Sequence, residues 1–285
     1  MFLKFRFGLY SESRDKMNMA GVGLNRLGER FKELKMRGRC AFIAYITAGD
    51  PTLDTTAELL FELQLRGVDI VELGVPFSDP LADGPVIQRA SLRALRAGAT
   101  LEKIICLVEA HREDIRIPIC FMSYYNPIYK FGLGRFCRRA KQAGIDGLIV
   151  PDLPPEEAGE LIFCAEKSRL AMSFFVSPMS SARRIRVAAR YSSGFIYYVS
   201  LTGITGARKS LAVGLSRRIT LVKKYASGPV CLGFGLSTRR QVEQAGRFCD
   251  GVIVGSAIVR KIEENIGRGD LVKKVGRFVY SLMEG

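Results

Sequence analysis

Asp69-Ile-Val-Glu-Leu-Gly-Val-Pro-Phe-Ser-Asp-Pro-Leu-Ala-Asp-Gly-Pro85 opens in a buried strand, residues 68–74, and runs on into a proline-broken loop. One residue of the strand is out of place. Glu72 sits among Ile70, Val71 and Leu73, and strand alternation puts it on a face with Val68 and Ile70. A carboxylate buried without a partner is costly to ionise, so its pKa is expected to rise. The following loop carries Asp79 and Asp83 between Pro76, Pro80 and Pro85. One carboxylate at a strand end with two more on the next loop marks the place where parallel α/β folds keep their chemistry. The plainer alternative is a structural Glu72 paired with a buried Lys or Arg.

Outward from this stretch, strands alternate with helices. Upstream lie a helix over residues 25–36 and a strand, 41–46, ending at Thr47-Ala-Gly-Asp-Pro51; a helix over 54–66 follows. Leu27, Phe31 and Leu34, at i, i+4 and i+7, give the first helix one apolar face. Downstream come helices 86–97 and 101–114, strand 117–122, helix 133–143, strand 147–150 and helix 155–168. Strand 172–176, helix 181–191, strand 195–199, helix 215–225, strand 230–232, helix 239–245, strand 251–254 and helix 271–283 complete the series. Most strands are continuous apolar runs, as a parallel sheet buried on both faces requires. Eight βα units in about 250 residues predict an α/β, single-domain (β/α)8 TIM barrel with an additional N-terminal helix. An open doubly wound sheet is the runner-up. Residues 1–24 read as a loosely ordered N-terminal extension, and residues 25–285 as the catalytic barrel domain.

Composition narrows the class. No apolar run reaches the roughly 18 residues a membrane span needs, and the first residues lack a sustained apolar core of a signal peptide. The seven cysteines are widely spaced and form no CxxC, which suits reduced cysteine in a cytoplasmic protein, with no metal site. The net charge of +15 raises nucleic acid or anionic membrane as partners. However, the basic residues read as scattered pairs on helices, such as Arg183-Arg184 and Arg217-Arg218, and no reader motif accompanies them. Neither nucleic acid nor membrane is expected as a partner. Attraction of an anionic substrate is the milder use of such a field.

The strand ends and the loops after them supply the candidates for chemistry. They are Tyr45, Thr47 and Asp50; Glu72, Asp79 and Asp83; Tyr124 and Asn126; Asp152; Tyr197, Thr205 and Gly206; Phe234 and Gly235; Gly255 and Ser256. His111, the only histidine, falls mid-helix, so acid–base work falls to carboxylates, tyrosines or lysines. No strand end presents a lysine, which argues against a Schiff-base aldolase. Glycines follow each of the last three strands: Gly203 and Gly206, Gly233 and Gly235, then Gly255 with Ser256. With a helix N-terminus they make an anion cradle, where barrels bind phosphate. The plainer reading is that these glycines only permit tight turns. Tyr45, Tyr124, Tyr197 and Phe234 converge on one mouth and suit a flat apolar ligand, or simply pack the rim. Neither nucleotide-binding glycine motif occurs.

Residues 71–85 closely resemble the signature of the tryptophan synthase alpha chain family. The resemblance extends in order through Tyr45-Ile-Thr-Ala-Gly-Asp-Pro51, Tyr124-Tyr-Asn-Pro127, Pro151-Asp-Leu-Pro154, Gly203-Ile-Thr-Gly206, Gly233-Phe-Gly235 and Gly255-Ser-Ala-Ile258. It implies a lyase of aromatic amino-acid biosynthesis that cleaves indole-3-glycerol phosphate to indole and glyceraldehyde 3-phosphate. It also implies a beta subunit, in an alpha2beta2 tetramer, that receives the indole for L-tryptophan synthesis. Pyridoxal phosphate belongs to that beta partner, and no cofactor is expected in this chain. By position the resemblance makes Glu72 and Asp83 catalytic. Tyr45, Tyr124, Tyr197, Thr205 and Phe234 become substrate-binding, and Gly206, Gly235, Gly255 and Ser256 phosphate-binding.

Departures lie in the sixth loop. Leu201-Thr-Gly203 stands where a basic residue and Ser-Gly are common, and Arg208-Lys209 adds charge. Residues 1–24 have no counterpart in the family. Two other readings are a non-catalytic regulatory subunit on the same fold and a different phosphate-binding barrel enzyme.

Overall fold

The computed structural model describes residues 25–199, 209–233 and 235–284. The expected extension over residues 1–24 and most of the sixth loop lie outside them. Eight short apolar runs form β1 (Ala41–Thr47), β2 (Ile70–Gly74), β3 (Ile119–Met122), β4 (Gly147–Ile149), β5 (Ala171–Val176), β6 (Ile196–Val199), β7 (Val230–Gly233) and β8 (Gly251–Val254). They pair in parallel, in chain order, and β8 closes on β1. This is the predicted barrel.

Helices among the described residues are α1 (Arg26–Met36), α2 (Leu53–Leu65), α3 (Pro85–Arg96), α4 (Leu101–His111), α5 (Tyr125–Phe131) and α6 (Leu133–Gln142). They continue as α7 (Gly159–Lys167), α8 (Ala182–Tyr191), α9 (Lys209–Tyr225), α10 (Arg239–Gly246), α11 (Ser256–Glu263) and α12 (Leu271–Met283).

Strand alternation divides the core in two. Ala44, Val71, Phe121, Leu148 and Phe174 point outward and pack under the helices. Ala41, Ile43, Ile70, Cys120, Ile149, Phe195 and Cys231 point inward and fill the barrel. The N-terminal end is stoppered by α1, whose Leu27, Phe31 and Leu34 join that inner cluster. Each such aliphatic or aromatic side chain contributes about 1.5–3 kcal/mol when fully buried. The Asn25 side chain accepts the Gly28 N–H at 2.9 Å and starts α1.

A repeating lock closes the same end. The residue leading into an even strand accepts a backbone N–H from the odd strand before it. Phe42 donates to Asp69 at 2.8 Å, Ile119 to Asp146 at 3.0 Å, Met172 to Ser193 at 2.9 Å and Val230 to Asp250 at 2.9 Å. The aspartates also bind cations: Arg30 and Arg39 on Asp69, Arg26 and Arg112 on Asp146, Lys223 on Asp250. The N-terminal rim is thereby fixed by paired charges.

Several boundaries differ from the expected ones. Val68 precedes β2 and packs outside the barrel, so Glu72 shares its face with Ile70 and Gly74 instead. Residues read as a loop form α5, because Asp152 from the next loop caps the Tyr125 N–H at 2.9 Å. Helix α7 starts late, since Glu157 donates to Pro154 at 3.0 Å in a turn. Helix α9 begins at Lys209, ahead of the expected 215.

Candidate active site

The C-terminal ends of the strands carry the other buried charges. Pairing of β2 with its neighbours sets Glu72 between Tyr45 of β1 and Cys120 of β3, on the inner face. Glu72 is wholly buried, and neither carboxylate oxygen has a hydrogen-bond partner among the described residues. Among the described residues, the structural ion pair that sequence also allowed is not formed. Burial, with the Asp83 charge second, pushes its pKa up to about 8. Near neutral pH Glu72 is a carboxylic acid with a proton to give.

Asp83 sits on the loop between β2 and α3. Tyr124, at the end of β3, donates its hydroxyl to Asp83 Oδ2 at 3.1 Å and accepts the Ala82 N–H at 2.9 Å. The loop is thus tied to the third strand. Asp83 is half-buried, and burial lifts its pKa to about 6 against the pull of the Tyr124 hydrogen bond. The order of the two acids survives: at pH 7 Glu72 keeps its proton and Asp83 has lost its own.

Aromatic rings line the same mouth. Tyr45 is buried, with its hydroxyl 3.3 Å from Thr47 Oγ1, and its ring packs on Ile87 and Ala90 of α3 and Val259 of α11. Tyr197 lies 4.6 Å from Phe175 and 6.1 Å from Phe195, ring centre to ring centre. Tyr124 stacks on Phe77 at 5.2 Å. These rings explain two glycines. A Cβ at Gly74 would collide with the Tyr45 ring, and one at Gly233 with Tyr197. Gly233, read from sequence as part of the anion cradle, serves to seat a ring.

Of the cradle, Gly235, Gly255 and Ser256 are described. Gly235 is in the left-handed region at φ 75°, and Gly255 caps α11 with no side-chain hydrogen bond. The first-turn N–H groups of a helix have no partner within it, and point at whatever lies beyond its start. Thr205, Gly206 and Phe234 lie outside the described residues.

Other candidates are not brought into this group. Asp79 is exposed and bonded to Ser78 at 2.5 Å, Asn126 is exposed on α5, and Asp152 caps α5. His111 ends α4 against Phe61, 5.5 Å away. Asp50 is buried beneath a bidentate Arg93. Sequence reasoning missed Phe175 and Met122, which pack against the inner cluster from the mouth. Period-two alternation up β5 and β3 would have found both. Phe77, in a loop without periodicity, had no such signal.

The charge is less scattered than it reads. Residues 168–249, the stretch of sequence that runs from β5 to α10, hold fourteen Lys and Arg against one carboxylate, Glu243. Among the described residues no cluster of metal-binding side chains occurs, and no helix is long and apolar enough to cross a membrane.

The family model for the tryptophan synthase alpha chain matches residues 31–280. The chain belongs to the tryptophan synthase alpha chain family. It is 47% identical over 262 residues to the tryptophan synthase alpha chain of Citrifermentans bemidjiense, covering 92% of this chain and 98% of that one. The alpha chain of Caldanaerobacter subterraneus is 44% identical over 261 residues, again 92% of this chain, and 99% of its own length. The tryptophan synthase subunit alpha structure from Legionella pneumophila superposes with a TM-score of 0.85 at 35% identity, over 91% of this chain and 97% of that one. Tryptophan synthase from M. tuberculosis gives 0.80 at 33% identity, over 90% and 98%. Membership makes the chain a carbon–carbon lyase of tryptophan biosynthesis, one that cleaves indole-3-glycerol phosphate, and implies a beta subunit as partner.

Proposed function

We propose that Glu72 and Asp83 perform this cleavage as an acid–base pair divided by environment. Retro-aldol cleavage breaks the bond between ring carbon C3 and side-chain carbon C3′. Glu72, protonated, gives its proton to C3, and the ring takes on positive charge shared with the indole nitrogen. Asp83, ionised, accepts the ring N–H and stabilises that charge. The bond then breaks, and its electron pair returns to the ring. The C3′ hydroxyl becomes the aldehyde of glyceraldehyde 3-phosphate, and its proton passes to the Glu72 carboxylate. The acid is restored and no proton is lost overall. A general acid–base held this way supplies about 10²–10⁴-fold.

The observation that carries the reading is a fully buried Glu72 whose oxygens have no partner among the described residues, facing the mouth in the field of Asp83. In this reading Tyr45, Tyr124, Tyr197, Thr205 and Phe234 hold the ring. Gly206, Gly235, Gly255 and Ser256 hold the phosphate through backbone N–H groups and the start of α11. Residues 25–285 form the catalytic domain. The partner is a beta subunit in an alpha2beta2 tetramer in the cytoplasm; pyridoxal phosphate resides there and not in this chain. Loop closure over the substrate, driven by that partner, would raise turnover. The test is indole release from indole-3-glycerol phosphate by the purified chain, alone and with the cognate beta chain. Indole in both, and more in the second, is expected; none in either would refute the reading.

A further inference from the structure

Two helices begin at the two ends of the proposed substrate. Helix α3 starts at Pro85, two residues after Asp83, and α11 starts at Ser256, in the phosphate cradle. They pack against each other, with Tyr45 wedged between Ile87 and Val259. Further along, four charged side chains lock the pair. Arg93 of α3 holds Asp50 through two hydrogen bonds, Nε to Oδ1 at 2.7 Å and Nη2 to Oδ2 at 2.9 Å. Its remaining nitrogen, Nη1, reaches Glu263, the last residue of α11, at 2.6 Å. Arg89, one turn earlier, grips both oxygens of Glu263 at 2.8 Å. Asp50 lies three residues beyond Thr47, on the loop of the strand that carries Tyr45.

We propose that Arg93 is a positioning residue for the alpha reaction: it fixes α3 against α11, so that phosphate held at the start of α11 presents the ring to Glu72 and Asp83. Three features set it apart from an ordinary surface ion pair. Asp50 is almost fully buried, at 1% exposure, so its carboxylate depends on Arg93. The guanidinium uses one edge for Asp50 and its far nitrogen for Glu263, a fork that a lysine cannot reproduce. The three segments it joins are those that carry the pocket tyrosine, the Asp83 loop and the phosphate helix. Reacting atoms misplaced by 1 Å cost up to about 10²-fold in rate, which is why such a brace matters at a distance.

The inference rests on the Glu72 and Asp83 reading, and the experiment separates the two. Arg93→Ala strips a buried carboxylate of its partner and risks the fold, so the informative variants are Glu263→Gln and Arg93→Lys. Glu263→Gln keeps Arg93 on Asp50 and loosens only the α11 end. Cleavage of indole-3-glycerol phosphate is compared with that of indoleglycerol, which lacks the phosphate, together with melting temperature. For Glu263→Gln, kcat/KM on the phosphate ester should fall about tenfold, within the range positioning can cost. On indoleglycerol it should change less than twofold, and the melting temperature should hold within a few degrees. Arg93→Lys should lose the same discrimination, and neither variant should alter the shape of the kcat–pH profile. Equal losses on both substrates, or a lowered melting temperature with normal discrimination, would overturn the brace and leave a structural salt bridge. Glu72→Gln is the control: normal cleavage there would refute the acid–base reading, whatever the brace variants do.

Discussion

At the N-terminal end of the barrel, Asp146 is buried and accepts hydrogen bonds from Arg26, Arg112 and the Ile119 N–H, each at 3.0 Å. At the C-terminal end, Glu72 is buried as deeply and accepts none from the described residues. Both sit on or beside a strand of one sheet, in one chain. The difference lies in what surrounds them. The lower carboxylate has its charge met by two guanidiniums and serves as a lock between β3 and β4. The upper one has its charge opposed, by burial and by Asp83, and holds a proton instead. A buried acid with full pairing is mortar; one left unpaired is a reagent, and it taxes the fold that carries it.

Mutation should expose the contrast, starting with the largest effect. Asp146→Ala leaves Arg112 nearly buried and unpaired, a loss expected to cost about 3–5 kcal/mol of unfolding free energy. Turnover per folded molecule should stay unchanged, because the lock lies at the opposite end from the chemistry. Denaturant unfolding alongside active-site-normalised kinetics checks both halves, and a large kinetic defect in a stable variant would break the comparison. Asp83→Asn should do the reverse. In the proposed mechanism it removes the ionised acceptor for the ring N–H, so turnover should drop about 10²-fold, near 2.7 kcal/mol, with little change in stability.

The pH dependence sharpens the upper half. The proposed mechanism needs Asp83 ionised and Glu72 protonated, so kcat/KM should be bell-shaped, rising through about 6 and falling through about 8. The two values belong to the interacting pair. Tyr124→Phe deletes the hydrogen bond that holds the Asp83 pKa down. Its acid limb should therefore move to higher pH, with less than a tenfold loss at the optimum. An unmoved limb would assign that limb to another group.

Much of this contrast is legible in the sequence. Glu72 stands out because a carboxylate interrupts an apolar run, and strand alternation aims it inward. The eight alternations point to the barrel because most strands are apolar on both faces. What escapes is set by residues far apart in the chain. The Asp83 pKa depends on Tyr124, from another strand, and on burial that a loop sequence does not announce. Helix α5 depends on Asp152 in a later loop. That Gly233 seats a ring was not legible, because a glycine that seats a ring and one that greets an anion look alike until Tyr197 is placed over it. Thr205, Gly206 and Phe234, expected in the site, lie outside the described residues.

One variant bears on both halves at once. Glu72 has its folded pKa raised from 4.5 to about 8. Its neutral form is therefore the one the fold favours. The wild-type chain keeps that stability below about pH 4.5 and loses it as pH climbs through 8. Glu72→Gln is neutral throughout. Turnover of indole-3-glycerol phosphate and unfolding free energy should be measured on both proteins from pH 5 to 9. If Glu72 is the proton donor, turnover falls at least ~10²-fold, and by pH 9 the variant is the more stable protein by a few kcal/mol. Near-normal turnover, or wild-type and variant stabilities that run parallel across the whole range, would contradict it.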